Sequence, residues 1–135
     1  MSQRPTPTLV SEIPEGSEER ARAVCEAPGN RPNDLLEIFH ALQGDPGLIP
    51  EPTLPIIANA LNLSRAEVYG VLTFYHDFRR SPPGRHQVKM CRAEACQAMH
   101  TDEVCAHAEQ KLGTKFGETS PDGQYSLDAV YCLGN

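Results

Sequence analysis

The sequence predicts an α+β chain, with a four-helix module over residues 17–80 followed by a smaller mixed domain over 85–135. Two observations predict this class. Apolar positions recur at helical spacing, each run preceded by a capping or turn signal, as far as about residue 80. Beyond the breaker "RRSPPGRH" the pattern switches to strand alternation, a helix and a turn-linked pair of extended segments. The leading stretch "MSQRPTPTLVSEIPEG", residues 1–16, is polar and proline-rich and is expected to be flexible.

In the helical module, Ser17 is expected to cap a first helix that turns Ala21, Val24 and Cys25 inward and leaves Arg20 and Arg22 in water. After the turn-prone "APGNRP", Asn33 is expected to cap a second helix with Leu35, Ile38, Phe39 and Leu42 on one face, stopped near Gly44. "DPGLIPEP" reads as a turn, and Leu54, Ile57, Ala58 and Leu61 form the stripe of a third helix. "SRAE" places Ser64 and Glu67 at capping-box spacing, opening a fourth helix that carries Val68, Val71, Leu72 and Tyr75. Gly70 weakens that helix, so a close backbone approach by another element is expected there.

In the second domain, "HQVKM" alternates Val88 and Met90 on one face as a short strand leading into Cys91. Thr101 is expected to cap a helix with Val104, Cys105, Ala108 and Leu112 inward, ended by Gly113. "KFGETSPDGQYSL" reads as two extended segments around a Pro-Asp-Gly turn, with Tyr125 and Leu127 on the same side. This order suggests an α/β arrangement of thioredoxin-like type.

Composition narrows the function classes. The first residues contain no apolar leader core, and no run of ~18 apolar residues occurs, so the chain is read as cytoplasmic with no membrane insertion. Five cysteines in a reducing compartment point to burial, metal binding or redox work rather than a disulfide framework. A net charge of -6 argues against a nucleic-acid partner. "ALNLSRAEVYGVL" has the rhythm of a helix-turn-helix, but its second helix offers Val71, Leu72, Phe74 and Tyr75 where base edges would need Arg, Asn or Gln. No G-x-G pair marks a dinucleotide cradle, and His40, His76, His86, His100 and His107 form no catalytic motif; His76 in "FYHDF" is a candidate subunit contact.

Cys25 and Cys105 fall in helical stripes and read as small buried hydrophobes. Cys91, Cys96 and Cys132 fall at the ends of extended segments in what read as loops, giving C-x4-C, 35 residues, then a third cysteine. A [2Fe-2S] cluster needs four soft terminal ligands, two per iron, so one pair is complete and the other lacks a member. Zinc held by Cys91, Cys96, Cys105 and His107 is the competing site, as the centre of an interaction module. A redox dithiol is weaker because its motif is C-x-x-C. Spacing alone ranks the cluster modestly above zinc.

"EVYGVLTFYHDFRRSPPGRHQVKMC", "ACQAM" and "TSPDGQYSLDAVYCLGN" together resemble the 24 kDa subunit family of respiratory complex I, which includes matching subunits of NAD-reducing hydrogenases and NAD-dependent formate dehydrogenases. Within it, "CRAEACQAM" is most similar to the gamma subunit of the molybdenum-containing, NAD-dependent formate dehydrogenase. The resemblance implies a helical bundle followed by a thioredoxin-like [2Fe-2S] ferredoxin domain. It makes Cys91, Cys96 and Cys132 the first three ligands, with the fourth expected immediately after Asn135. The sequence stops before that ligand and before the closing part of the sheet, so the second domain is expected to be incomplete.

The resemblance further implies a non-catalytic electron-transfer subunit within an NAD-linked oxidoreductase, with formate oxidation to carbon dioxide coupled to NADH formation as the preferred reaction. Complex I and NAD-reducing hydrogenase are the alternatives. FMN and NAD would belong to a flavoprotein partner, and the molybdenum cofactor to a large iron-sulfur catalytic subunit. Backbone N–H groups of Arg92 to Ala95 are the expected hydrogen-bond donors to the sulfurs.

Overall fold

The computed structural model describes residues 13–134 apart from 28, 30 and 45. Most of the leading segment expected to be flexible therefore lies outside the described residues. The chain divides into two compact units, one ending at Pro82 and the other beginning at Pro83.

The first unit is helical. Helices α1 (Ser17–Glu26), α2 (Leu35–Gln43), α3 (Leu54–Leu61) and α4 (Arg65–Phe74) surround one core, with 3-10 turns at Pro32–Asp34 and Glu51–Thr53 leading into α2 and α3. The stripes read from the sequence supply that core: Ala21 and Cys25 from α1, Ile38, Phe39 and Leu42 from α2, Leu54, Ile57 and Leu61 from α3, and Val68 and Leu72 from α4. Burying each large side chain contributes about 1.5–3 kcal/mol, which offsets the ordering cost of helices too short to form alone. The turn "DPGLIPEP" adds Leu48 and Ile49, both buried.

Behind α4 the chain folds back onto α2. The Gln43 amide donates to the Asp77 carbonyl at 2.7 Å and accepts from the Arg79 N–H at 2.7 Å, while the Ile49 N–H donates to the Arg79 carbonyl at 2.7 Å. These bonds hold Phe78 edge-on to Phe39 with ring centroids 5.1 Å apart.

The capping box forms as read: the Glu67 N–H donates to Ser64 Oγ at 3.2 Å, and the Ser64 N–H donates to the Glu67 carboxylate at 2.8 Å. The Ser64 bonds hold the Glu67 carboxyl below its usual range. Other caps depart from expectation. Ser17 is the first helical residue rather than the cap, because its hydroxyl donates to the Pro14 carbonyl and Gly16 takes the left-handed turn at φ 76°. Asn33 is exposed within the 3-10 turn; the cap position belongs to buried Asp34, held by the Arg31 guanidinium through two bonds of 3.1 Å. Gly70 has no close neighbour, since a Cβ there would meet nothing within 4 Å. Tyr75 lies past the end of α4 and is 42% exposed.

The second unit is a three-stranded sheet with two helices: β1 (His86–Cys91), α5 (Glu94–Ala98), α6 (Thr101–Leu112), β2 (Glu118–Thr119) and β3 (Tyr125–Val130), in the order β1-β3-β2. Strand β1 runs parallel to β3, so a crossover must join them, and "CRAEACQAMH…KL" supplies it as α5 and α6. The hairpin closes around Pro121-Asp122-Gly123: the Gly123 N–H donates to the Ser120 carbonyl at 2.8 Å, with Gly123 at φ 69°. Leu127 is fully buried, and Cys105 is the buried residue of α6. Val104, expected inward, is 55% exposed. Thr101 begins α6 without capping it; His100, at φ 59°, holds the cap position, and the Thr101 hydroxyl instead donates to the Cys91 carbonyl at 3.1 Å.

Candidate metal centre

The parallel pairing of β1 with β3 sets Cys91 opposite Val130, so the end of β1 and the segment following β3 emerge side by side. The Arg92 N–H extends this ladder by donating to the Val130 carbonyl at 2.8 Å. The chain then turns into α5, which carries Cys96 at its centre, whereas the sequence reads as a loop there. Five residues are too few to show helical periodicity, which explains the difference.

Cys91, Cys96 and Cys132 thereby converge, with their Sγ atoms all within 4.8 Å of one another. Cys91 and Cys132 are 3.5 Å apart, within S–H···S range. Two thiolates on one tetrahedral metal at a metal–sulfur distance near 2.3 Å would lie roughly 3.7 Å apart, within the 4.8 Å spread of the three sulfurs. The competing zinc quartet does not assemble. Cys105 is buried in α6 against Thr101 Oγ1 at 3.8 Å, and His107 is exposed; the only group of three or more candidate ligands among the described residues is the cysteine trio.

The electrostatics favour a thiolate at Cys91. Its pKa falls to about 7, chiefly because the backbone N–H of Cys132 bonds its sulfur, then that of Ala93 and the Cys96 thiol. Cys96 is pushed up, first by the hydrogen bond it shares with Cys91. The first proton to leave comes from Cys91, and the Cys96 S–H stabilises the anion. Ala93 is among the expected donors, whereas the Arg92 N–H is committed to the sheet ladder. Sequence reasoning misses two donors: the N–H of Cys132 toward Cys91, and that of Gly134, which reaches the Cys132 sulfur at 3.3 Å. Gly134 sits at φ 92°, so the "CLGN" glycine carries the signal of this turn.

Outer contacts fix the loop. The Gln97 amide donates to the Arg92 carbonyl at 3.0 Å, and the Arg92 guanidinium lies 5.0 Å from the Phe116 ring centroid. Three all-sulfur donors, one poised near neutrality and bonded by backbone N–H groups, fit an iron-sulfur cluster. Ala93→Pro removes one of these N–H donors, and the cluster's midpoint potential is expected to fall; an unchanged potential in redox titration would show that this bond does not tune it.

Comparison with known proteins agrees with this chemistry. Residues 21–135 match the family described as "Thioredoxin-like [2Fe-2S] ferredoxin". The chain is 33% identical over 117 residues to a subunit of the NADH-quinone oxidoreductase of Rhizobium meliloti, covering 87% of this chain and 69% of that protein. It is 33% identical over 100 residues to the corresponding NADH-quinone oxidoreductase subunit of Pseudomonas aeruginosa, covering 74% of this chain but only 60% of the relative's length. It is 30% identical to a subunit of the NADP-reducing hydrogenase of Solidesulfovibrio fructosivorans, with 74% and 58% covered. Among solved structures, a chain of the NAD+-reducing [NiFe]-hydrogenase in its air-oxidised state superposes with a TM-score of 0.58 at 20% identity, covering 73% of this chain and 17% of that one, a likeness of fold.

Proposed function

The chain belongs to the thioredoxin-like [2Fe-2S] ferredoxin family, and from that premise we propose that it is the electron-transfer subunit of an NADH-dehydrogenase-type complex, with Cys91, Cys96 and Cys132 as cluster ligands. The convergence of the three thiols within 4.8 Å carries this reading. The working division is a helical domain, 17–80, and a cluster domain, 85–135. The fourth ligand is assigned to the position immediately after Asn135.

When bound, the cluster supplies one-electron storage beside a flavin that exchanges hydride, two electrons at a time, with NAD. This chain's residues hold and tune that centre. Cys91 offers a thiolate near neutral pH, as metal loading requires. Ala93, Cys132 and Gly134 direct N–H groups at sulfur, and Thr101 and Gln97 pin the Cys91 and Arg92 carbonyls so that the loop keeps its shape. FMN and NAD are assigned to a flavoprotein partner. Among the described residues no helix is long and apolar enough to cross a membrane.

The named relatives belong to quinone oxidoreductases and a hydrogenase, which supports those assemblies ahead of the formate dehydrogenase preferred from sequence. Formate dehydrogenase, with its molybdenum subunit, is the second reading and rests on the motif "CRAEACQAM". Affinity purification of the tagged chain from its source cells separates them. Recovery of an FMN-containing subunit without molybdenum supports the first; stoichiometric molybdenum supports the second; recovery of no flavoprotein would contradict both.

A further inference from the structure

We propose that, in the cluster-free chain, Cys91 and Cys132 form a reversible disulfide that withholds two ligands from metal until a reductant opens it. The Sγ atoms already lie 3.5 Å apart. Closing that gap requires side-chain rotation over about 1.5 Å to reach a sulfur–sulfur bond near 2.05 Å. The backbones run side by side there, because Cys132 lies two residues beyond Val130, the parallel-ladder partner of Cys91.

Cys132 is the fitting partner rather than Cys96. It lies in irregular chain beyond β3, whereas Cys96 is built into α5, and Cys132 is exposed where Cys96 is half-buried. Cys25 and Cys105 are buried and take no part.

The oxidant is a small disulfide such as oxidised glutathione. The Cys132 thiol, exposed where Cys91 is half-buried, gives up its proton and attacks one glutathione sulfur, breaking the glutathione disulfide and releasing one glutathione thiolate, which takes up that proton. The Cys91 thiolate then attacks Cys132 Sγ, breaking the mixed disulfide and releasing the second glutathione. Two protein thiols are oxidised by two electrons, and one glutathione disulfide is reduced to two thiols.

The bond itself does not depend on the cluster assignment; only the block on loading rests on it. The test therefore reads them separately. The metal-free full chain is incubated with oxidised glutathione, its remaining thiols are alkylated, and the digest is mapped by mass spectrometry. A parallel sample of the chain extended by a cysteine after Asn135, which completes the ligand set, is offered ferrous iron and sulfide before and after dithiothreitol. The expected result is a peptide pair joined through Cys91 and Cys132, with Cys96 alkylated, and iron-sulfide uptake lowered roughly tenfold until reduction. Cys96→Ser should keep the cross-link, and Cys132→Ser should lose it. A Cys91–Cys96 bond, a persistent glutathione adduct on Cys132, or five alkylated thiols would overturn the proposal. The cross-link forming while uptake stays at its reduced level would overturn the withholding of ligands.

Discussion

Gly84→Ala is expected to destabilise the second unit by about 3 kcal/mol, the upper end of what an overpacked site costs. Gly84 is buried, its N–H donates to Ser126 Oγ at 2.6 Å, and a Cβ there would lie 2.6 Å from the Tyr125 carbonyl carbon and 2.7 Å from the Ser126 nitrogen. These are backbone atoms of β3, so no side-chain rotation relieves the clash. The strain falls beside the His86–Tyr125 pair, where β1 and β3 begin their register; that register ends by placing Cys91 opposite Val130. Loss of stability should therefore bring loss of the thiol convergence. Hydrogen exchange of the β1 and β3 amides reads the effect directly. Gly70→Ala is the contrast: with open space at that position, the same change should stabilise α4 by about 0.5–1 kcal/mol. Equal protection in Gly84→Ala and the parent would show that the strands can separate without cost.

Cys91→Ala is expected to abolish cluster binding, with a loss larger than the roughly 10- to 100-fold that outer-sphere changes cost. It removes the thiolate poised near neutrality and the partner of both other sulfurs. Cys105→Ala should leave iron and sulfide content unchanged, because Cys105 stands apart from the trio. The two variants form a pair: metal lost in Cys105→Ala as well as in Cys91→Ala would return the site to the rejected quartet, and iron retained in Cys91→Ala would overturn the assignment of Cys91 as a ligand.

The helical stripes were legible in the sequence because burial imposes a period, and residues such as Phe39, Ile57 and Val68 had only one face on which to satisfy it. Helix starts were less legible. Ser17 and Thr101 have capping side chains, but each hydroxyl is claimed by a carbonyl whose position depends on the surrounding fold, Pro14 for one and Cys91 for the other. At the site, C-x4-C and the distant third cysteine were visible as spacing, and their convergence follows from a parallel register that no local pattern encodes. The donors at Cys132 and Gly134 were invisible for the same reason, since backbone N–H groups leave no residue-type signal except the glycine.

The cluster assignment is tested most directly by low-temperature EPR on the dithionite-reduced protein, with iron and sulfide measured on the same sample. The measurement compares the chain ending at Asn135 with the same chain extended by a cysteine at the next position. The expected result is a rhombic spin-half signal, with about two irons and two sulfides per chain, in the extended protein. Zinc without sulfide, or no iron in either protein, would contradict it.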